Sequence, residues 1–182
     1  DRLPLTRMHS NSSTTAIELA VLWSGLTPTS TREELHSAPL LFDYAHAAGF
    51  DTAYWTSHHM MFANSRLFVQ ALPTKFQSGA SDLDPVADMD LGAWDDLLMK
   101  RFFAVAHFGN THVPYWIDPS DAPFTPWKES KDPDDNEAYR NFYKNAVHRQ
   151  DKAIAKLVRH VQRSPFGQRT VIVCTSDHGE GF

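Results

Sequence analysis

Cysteine is nearly absent: Cys174 is the single one among 182 residues, so no disulfide within the chain can brace the fold. One thiol leaves the redox compartment open. Long apolar runs are missing too. The longest, such as Phe102 to Ala106 and Thr170 to Cys174, fall far short of the roughly 20 residues that cross a bilayer. Positive charge is not in excess either. Seventeen Lys and Arg stand against 22 Asp and Glu, a formal charge of −5, and the basic residues are scattered. The counterion release that drives nucleic-acid binding therefore has no footprint, and nucleic acid is excluded as a partner. The first residue is Asp1 and no charged and apolar leader follows it, which reads as a processed or excerpted piece.

What is present is 42% hydrophobic and 21% charged residues, the balance of one globular domain, residues 1–182, with a buried core. Helical and strand-like segments alternate, which predicts an α/β fold. The run Ala16 to Trp23 predicts a helix from Thr15, with Thr15 and Glu18 at capping-box spacing and Gly25 as terminator. Leu35 to Ala48, closed by Gly49, predicts a second helix with Leu40, Leu41, Tyr44 and Ala48 on one face, and Phe50 to Thr56 a strand behind it. Gln77 to Asp90, rich in Asp, Ser, Gly and Pro, reads as a surface loop before a short helix at Ala93 to Lys100 and a strand at Phe102 to His107. The proline-rich stretch Asn110 to Asp135 reads as a long irregular excursion. Apolar residues recur at helical spacing from Asn136 to Gln162. Thr170 to Cys174 is a near-continuous β-branched run, the mark of a strand buried on both faces of a parallel sheet. Ligand sites in such sheets lie beyond the carboxyl ends of the strands.

Polar clusters stand at Ser10 to Thr15, His107 to His112 and Ser176 to Glu180. Thr15 suits two roles. Its hydroxyl can cap helix N–H groups, and at a helix N-terminus, which favours an oxyanion, it can also be a nucleophile once its proton is removed. Asp177 and His178 offer a hard oxygen and an imidazole nitrogen from adjacent positions, and Gly179 permits a tight turn that brings both to one metal ion. An isolated Asp-His pair is otherwise solvated or hydrogen-bonded. His112, before Val113-Pro114, can bind a phosphoryl oxygen, serve a leaving group, or be a hydrogen-bonded loop histidine. His107, ending an apolar strand, reads as structural. His58 and His59 follow the Phe50 to Thr56 strand and either line a substrate crevice or form a surface pair. Cys174, within an apolar strand, reads as a buried structural thiol.

Taken in order, these clusters resemble the alkaline-phosphatase superfamily, specifically its sulfatase-like branch with the bacterial phosphoethanolamine and phosphoglycerol transferases. Ser13-Thr14-Thr15 through Trp23-Ser24-Gly25-Leu26 resembles the nucleophile helix, with the nucleophile ten residues before the glycine, which implies Thr15. An alignment of lipoteichoic-acid-synthase type, anchored on Glu18, implies Thr14 instead. His107 to Tyr115 is similar to the family's His-x-x-Gly-x-His-x-Pro segment and implies a substrate-phosphate role for His112. Thr175 to Glu180 resembles the Ser-Asp-His-Gly-Glu metal motif and implies that Asp177 and His178 are ligands. Formylglycine sulfatases carry Cys/Ser-x-Pro-Ser-Arg where this chain has Thr15-Ala16-Ile17-Glu18-Leu19, so that activation route is absent.

The resemblance implies a mostly parallel sheet flanked by helices, in an incomplete domain: the family's first metal-ligand strand and its later His-Gly segment have no counterpart in these residues. It implies a metal-dependent phospho-ester hydrolase or transferase acting through a phospho-threonine. Thr15, Asp177 and His178 would hold the metal, with His112, Thr14, His58 and His59 toward the substrate. Zinc suits the donors best, with Mn, Ca or Mg compatible. The implied substrate is a small-molecule, lipid or glycan ester, and the implied setting is the periplasm or cell envelope. A sulfate-ester hydrolase and a non-catalytic or incomplete sulfatase-like domain are the rival expectations.

Overall fold

A computed structural model describes residues 3–58, 65–69, 72, 74–77 and 90–181. The aromatic strand Asp51–Thr56 (β1) is central, and all of it except Asp51 is buried. It pairs in parallel with Thr74–Gln77 (β2) on one side and Phe102–His107 (β3) on the other, in the order β2-β1-β3. Strand alternation sends Tyr54 to one face and Ala53 and Trp55 to the other, and helices cover both.

Over the first face lie Thr15–Ser24 (α1), Arg32–Ser37 (α2), Leu41–Ala47 (α3) and Ser65–Val69 (α4). Leu19, Trp23, Leu40, Phe42, Tyr54 and Val69 form one core there, with the Trp23 ring edge-on to Phe42 and Tyr54 at 5.5 Å each. Over the second face lie Asp95–Leu98 (α5), which continues a 3₁₀ turn at Leu91–Trp94, and the 28-residue Asn136–Arg163 (α6). Trp94, Leu97, Leu98 and Val161 pack there against Ala53 and Trp55.

One helix over Leu35 to Ala48 is not what forms. Pro39 disfavours helical geometry in the residue before it, and Ala38 is extended at φ −65°, ψ 143°. The chain therefore stops α2 and restarts as α3, and each helix has its own cap. Glu34 accepts the Thr31 N–H at 2.7 Å while Thr31 Oγ1 accepts the Glu34 N–H at 3.2 Å. Asp43 accepts the Leu40 N–H at 2.7 Å. The restart turns Leu40 and Phe42 inward and leaves Leu41 and Tyr44 exposed, unlike the face expected of a single helix. Helix α4 and strand β2, too short to show a period, have no counterpart in the pattern reading. Most of the loop expected over Gln77 to Asp90 lies outside the described residues.

The buried strand expected at Thr170 to Cys174 is also corrected. The segment follows a 3₁₀ turn at Gly167–Arg169, joins no ladder among the described residues, and leaves Val171 and Val173 87% and 71% exposed. Cys174 is exposed with it rather than buried. β-branched composition suits a strand, but a strand needs a ladder partner and none is present beside it among the described residues.

The excursion from Asn110 to Asp135 is irregular apart from 3₁₀ turns at Pro119–Asp121 and Pro133–Asp135, yet it is pinned to α6. Asn141 Nδ2 donates to Pro126 O at 2.9 Å, and Asn145 accepts the Phe124 N–H at 3.0 Å and donates to Phe124 O at 2.9 Å. Tyr115 packs with Tyr139, Phe142 and Ala146. Among the described residues no helix is long and apolar enough to cross a membrane.

Candidate active site

The carboxyl ends of β1 and β3 lie side by side, Thr56 opposite His107. Beyond them the Ser57 N–H donates to His107 O at 3.1 Å, and the Gly109 N–H donates to Ser57 Oγ at 2.8 Å. This tie seats the His58 ring on Gly109 so closely that a Cβ there would stand 2.5 Å from the imidazole, which only glycine permits. The His58 ring centre is 4.9 Å from that of His107 and 6.0 Å from that of His112. Tyr54 Oη lies 3.1 Å from His107 Nδ1. His107, expected to be structural alone, thus belongs to an imidazole cluster. Burial, and then the neighbouring imidazoles of His107 and His112, hold His58 down to about 3, with Asp177 opposing. Burial likewise lowers His107 to about 4 against the pull of Asp177. Both rings are neutral at pH 7.

The second group comes from the two ends of the chain. Thr14 is the extended residue before α1, at φ −124°, ψ 118°, and its side chain makes no cap bond. Thr15 is already the first helical residue, so the capping box expected between Thr15 and Glu18 does not form. The buried Glu18 carboxylate instead reaches back and accepts the Asn11 N–H at 3.0 Å. The Thr15 hydroxyl lies 3.0 Å from His178 Nε2, across 163 residues of sequence. His178 Nδ1 is 2.8 Å from Gly179 O, and a carbonyl only accepts, so Nδ1 carries a proton and Nε2 is the nitrogen turned to Thr15. Asp177 Oδ2 is 3.4 Å from the same Nε2, so a carboxylate oxygen and an imidazole nitrogen converge on one point. Locking Nδ1–H on a carbonyl is how proteins ready an imidazole for a cation. Asp177, His178 and the Thr15 hydroxyl are thus a fitting but partial donor set. Among the described residues, no three His, Cys, Asp or Glu side chains are arranged to hold a metal.

His112 is exposed, with Nδ1 2.7 Å from Val113 O. His59 lies outside the described residues. Of the expected site residues, the fold brings Thr15 together with Asp177 and His178, and His58 together with His112. Asp177, whose charge acts on both His58 and His107, links the two groups. Pattern reading misses Tyr54, Ser57 and Asn110. Their only signal is that polar groups sit within or directly after apolar strands.

A helical layer on each face of a parallel sheet, a hydroxyl in the first turn of a helix and an Asp-His pair near the strand ends make this an α/β domain with a polar site at the carboxyl end of its sheet. The Sulfatase family model matches residues 3–182, and the chain belongs to that family. No curated protein matches it. Among solved structures it is similar to the soluble domain of lipooligosaccharide phosphoethanolamine transferase A from Neisseria meningitidis, with 18% identity, a TM-score of 0.63, and coverage of 85% of this chain and 49% of that one. The C-terminal periplasmic domain of EcEptC from Escherichia coli, in complex with Zn, gives 16% identity and a TM-score of 0.62, over 85% of this chain and 46% of that one. The lipoteichoic acid synthase LtaP from Listeria monocytogenes gives 15% and 0.57, over 84% and 42%. At these identities the likeness is one of fold, and the chain spans about half the length of those structures.

Proposed function

We propose that this chain carries the phosphoryl-transfer core of a metal-dependent phosphoester hydrolase or transferase, with Thr15 as nucleophile. The contact between Thr15 Oγ1 and His178 Nε2 at 3.0 Å is the observation that carries the reading. It favours Thr15 over Thr14, whose exposed side chain makes no such contact. Thr15 also stands in the first turn of α1, where unpaired N–H groups and the helix dipole favour the oxygens of a bound phosphoryl group.

In the reaction so derived, Thr15 Oγ1 bonds to phosphorus as the bond from phosphorus to the leaving alcohol breaks, and the Thr15 proton passes by way of solvent to the leaving oxygen. Water or an acceptor hydroxyl then attacks the phospho-threonine and restores Thr15. His112 faces the phosphoryl oxygens and orients them, with the His58 ring beside it at 6.0 Å between ring centres. Asp177, His178 and Thr15 would hold a divalent cation, zinc by preference as in the EcEptC complex, and such an ion lowers the hydroxyl's proton affinity and offsets phosphoryl charge. By analogy with relatives described as periplasmic and as a lipooligosaccharide phosphoethanolamine transferase, the substrate is a phosphoester of the cell envelope.

Turnover of bis(p-nitrophenyl) phosphate and p-nitrophenyl sulfate by zinc-supplemented protein tests the reading. Phosphodiester turnover should exceed sulfate turnover, Thr15→Ala should lose it by about 10³-fold or more, and Thr14→Ala should keep it within a few-fold. Preference for the sulfate would favour the sulfatase reading. Loss in Thr14→Ala alone would move the nucleophile by one residue, and no turnover in zinc-loaded protein would favour a non-catalytic domain. Zinc content by elemental mass spectrometry should fall sharply in Asp177→Ala; unchanged zinc in that variant would overturn its assignment as a ligand.

A further inference from the structure

Asn110 lies two residues before His112 and is fully buried, at 0% exposure. Both polar atoms of its side chain and its backbone N–H are engaged. Nδ2 donates to Trp116 O at 2.8 Å and to Ala146 O at 3.1 Å, Oδ1 accepts the Trp116 N–H at 2.9 Å, and the Asn110 N–H donates to Gln150 Oε1 at 2.9 Å. The paired bonds to Trp116 close the loop 110–116 much as a neighbouring strand would. Ala146 and Gln150 both belong to α6, and Ala146 is itself 0% exposed, so the loop is docked against the helix without slack. On its other side the His112 N–H donates to Gly109 O at 3.0 Å, and Gly109 is bound to Ser57 at the end of β1.

We propose that Asn110 is a positioning residue that acts through His112: one buried side chain sets the loop bearing that imidazole between the end of the sheet and α6. The inference deepens the reading of the site given above and rests on it for the role of His112. Asn145 supplies the built-in comparison. It is equally buried, at 1%, and makes the same kind of paired bonds with Phe124, but no site residue lies in the segment it holds.

The test sets Asn110→Ala beside Asn145→Ala, with thermal midpoints, kcat and KM on bis(p-nitrophenyl) phosphate, and amide exchange read at His112. Both variants should lose thermal stability. Only Asn110→Ala should lower kcat, by about tenfold or more with KM within about twofold, because the imidazole is misplaced while binding elsewhere persists. It alone should speed exchange of the His112 N–H by about tenfold, with Tyr54 and Val105 in the sheet unchanged. If Asn110→Ala does not fold, Gln150→Ala, which removes one of the four bonds, should show the same pattern at smaller size. Equal kcat losses in the two asparagine variants, or unchanged exchange at His112, would overturn the proposal. Should the parent protein turn over no phosphoester, the exchange measurement decides alone, so failure of the activity reading stays distinct from failure of this one.

Discussion

Gly109 and His58 occupy one space, and what happens there is decided atom by atom. Gly109→Ala puts a methyl group 2.5 Å from the ring, which must displace His58 or part the two strand ends, at a cost of about 1–3 kcal/mol. Chemical denaturation should register that loss, and an unchanged midpoint would show that His58 moves freely. The same burial makes stability depend on pH. His58 and His107 titrate near 6.5 when unfolded but only at about 3 and about 4 in the folded protein. Below pH 6.5 the unfolded chain therefore binds more protons, and stability falls as pH drops toward 4. Urea midpoints between pH 7 and 4.5 should decline steadily, with a shallower slope in His58→Asn; a flat profile in the parent would contradict the burial of both rings. Thr15, Asp177 and His178 stand out in the sequence because each sits in a local motif, and the fold brings them together. The meeting of His58 with His107 does not stand out, because it depends on which residues of two parallel strands stand opposite one another, and no local pattern encodes that register.

Among the elements, α1, β1, β3 and α6 declared themselves through sustained periodicity or aromatic runs close to their true bounds. The helical pattern over Leu35 to Ala48 misled because the proline inside it was outweighed by apolar spacing, whereas physically one proline suffices to stop a helix. The break has a measurable consequence. Phe42→Ala should cost about 3–5 kcal/mol, while Leu41→Ala, on the exposed side of α3, should cost well under 1. A single continuous helix presenting Leu41 to the core would invert that order. In α6 the asparagines at 141 and 145 interrupt the apolar stripe, and their partners in the excursion explain why polar side chains are buried on that face. No rule of spacing names a partner inside an irregular loop, so the order hidden in residues 110–135 emerges only in three dimensions.

For the molecule as a whole, the most β-prone segment is the one left outside the sheet. Val171 and Val173 stand in solvent at 87% and 71% exposure, an extended apolar run of the kind that recruits other chains. Val171→Lys with Val173→Lys should raise the soluble yield of this 182-residue chain and delay its aggregation in light scattering, with little change in its circular dichroism. Unaltered aggregation would place the sticky surface elsewhere. Sequence reading took this run for an interior strand because its composition is that of one, and the composition holds no information on whether a neighbour is there to pair with it. The contact between Thr15 and His178, separated by 163 residues, also bears on the protein's birth. At roughly 5–20 residues per second of synthesis, a ribosome exposes the hydroxyl on the order of ten seconds before the imidazole that meets it exists. Until then the contact has no second partner, and any product abandoned short of residue 178 never forms it.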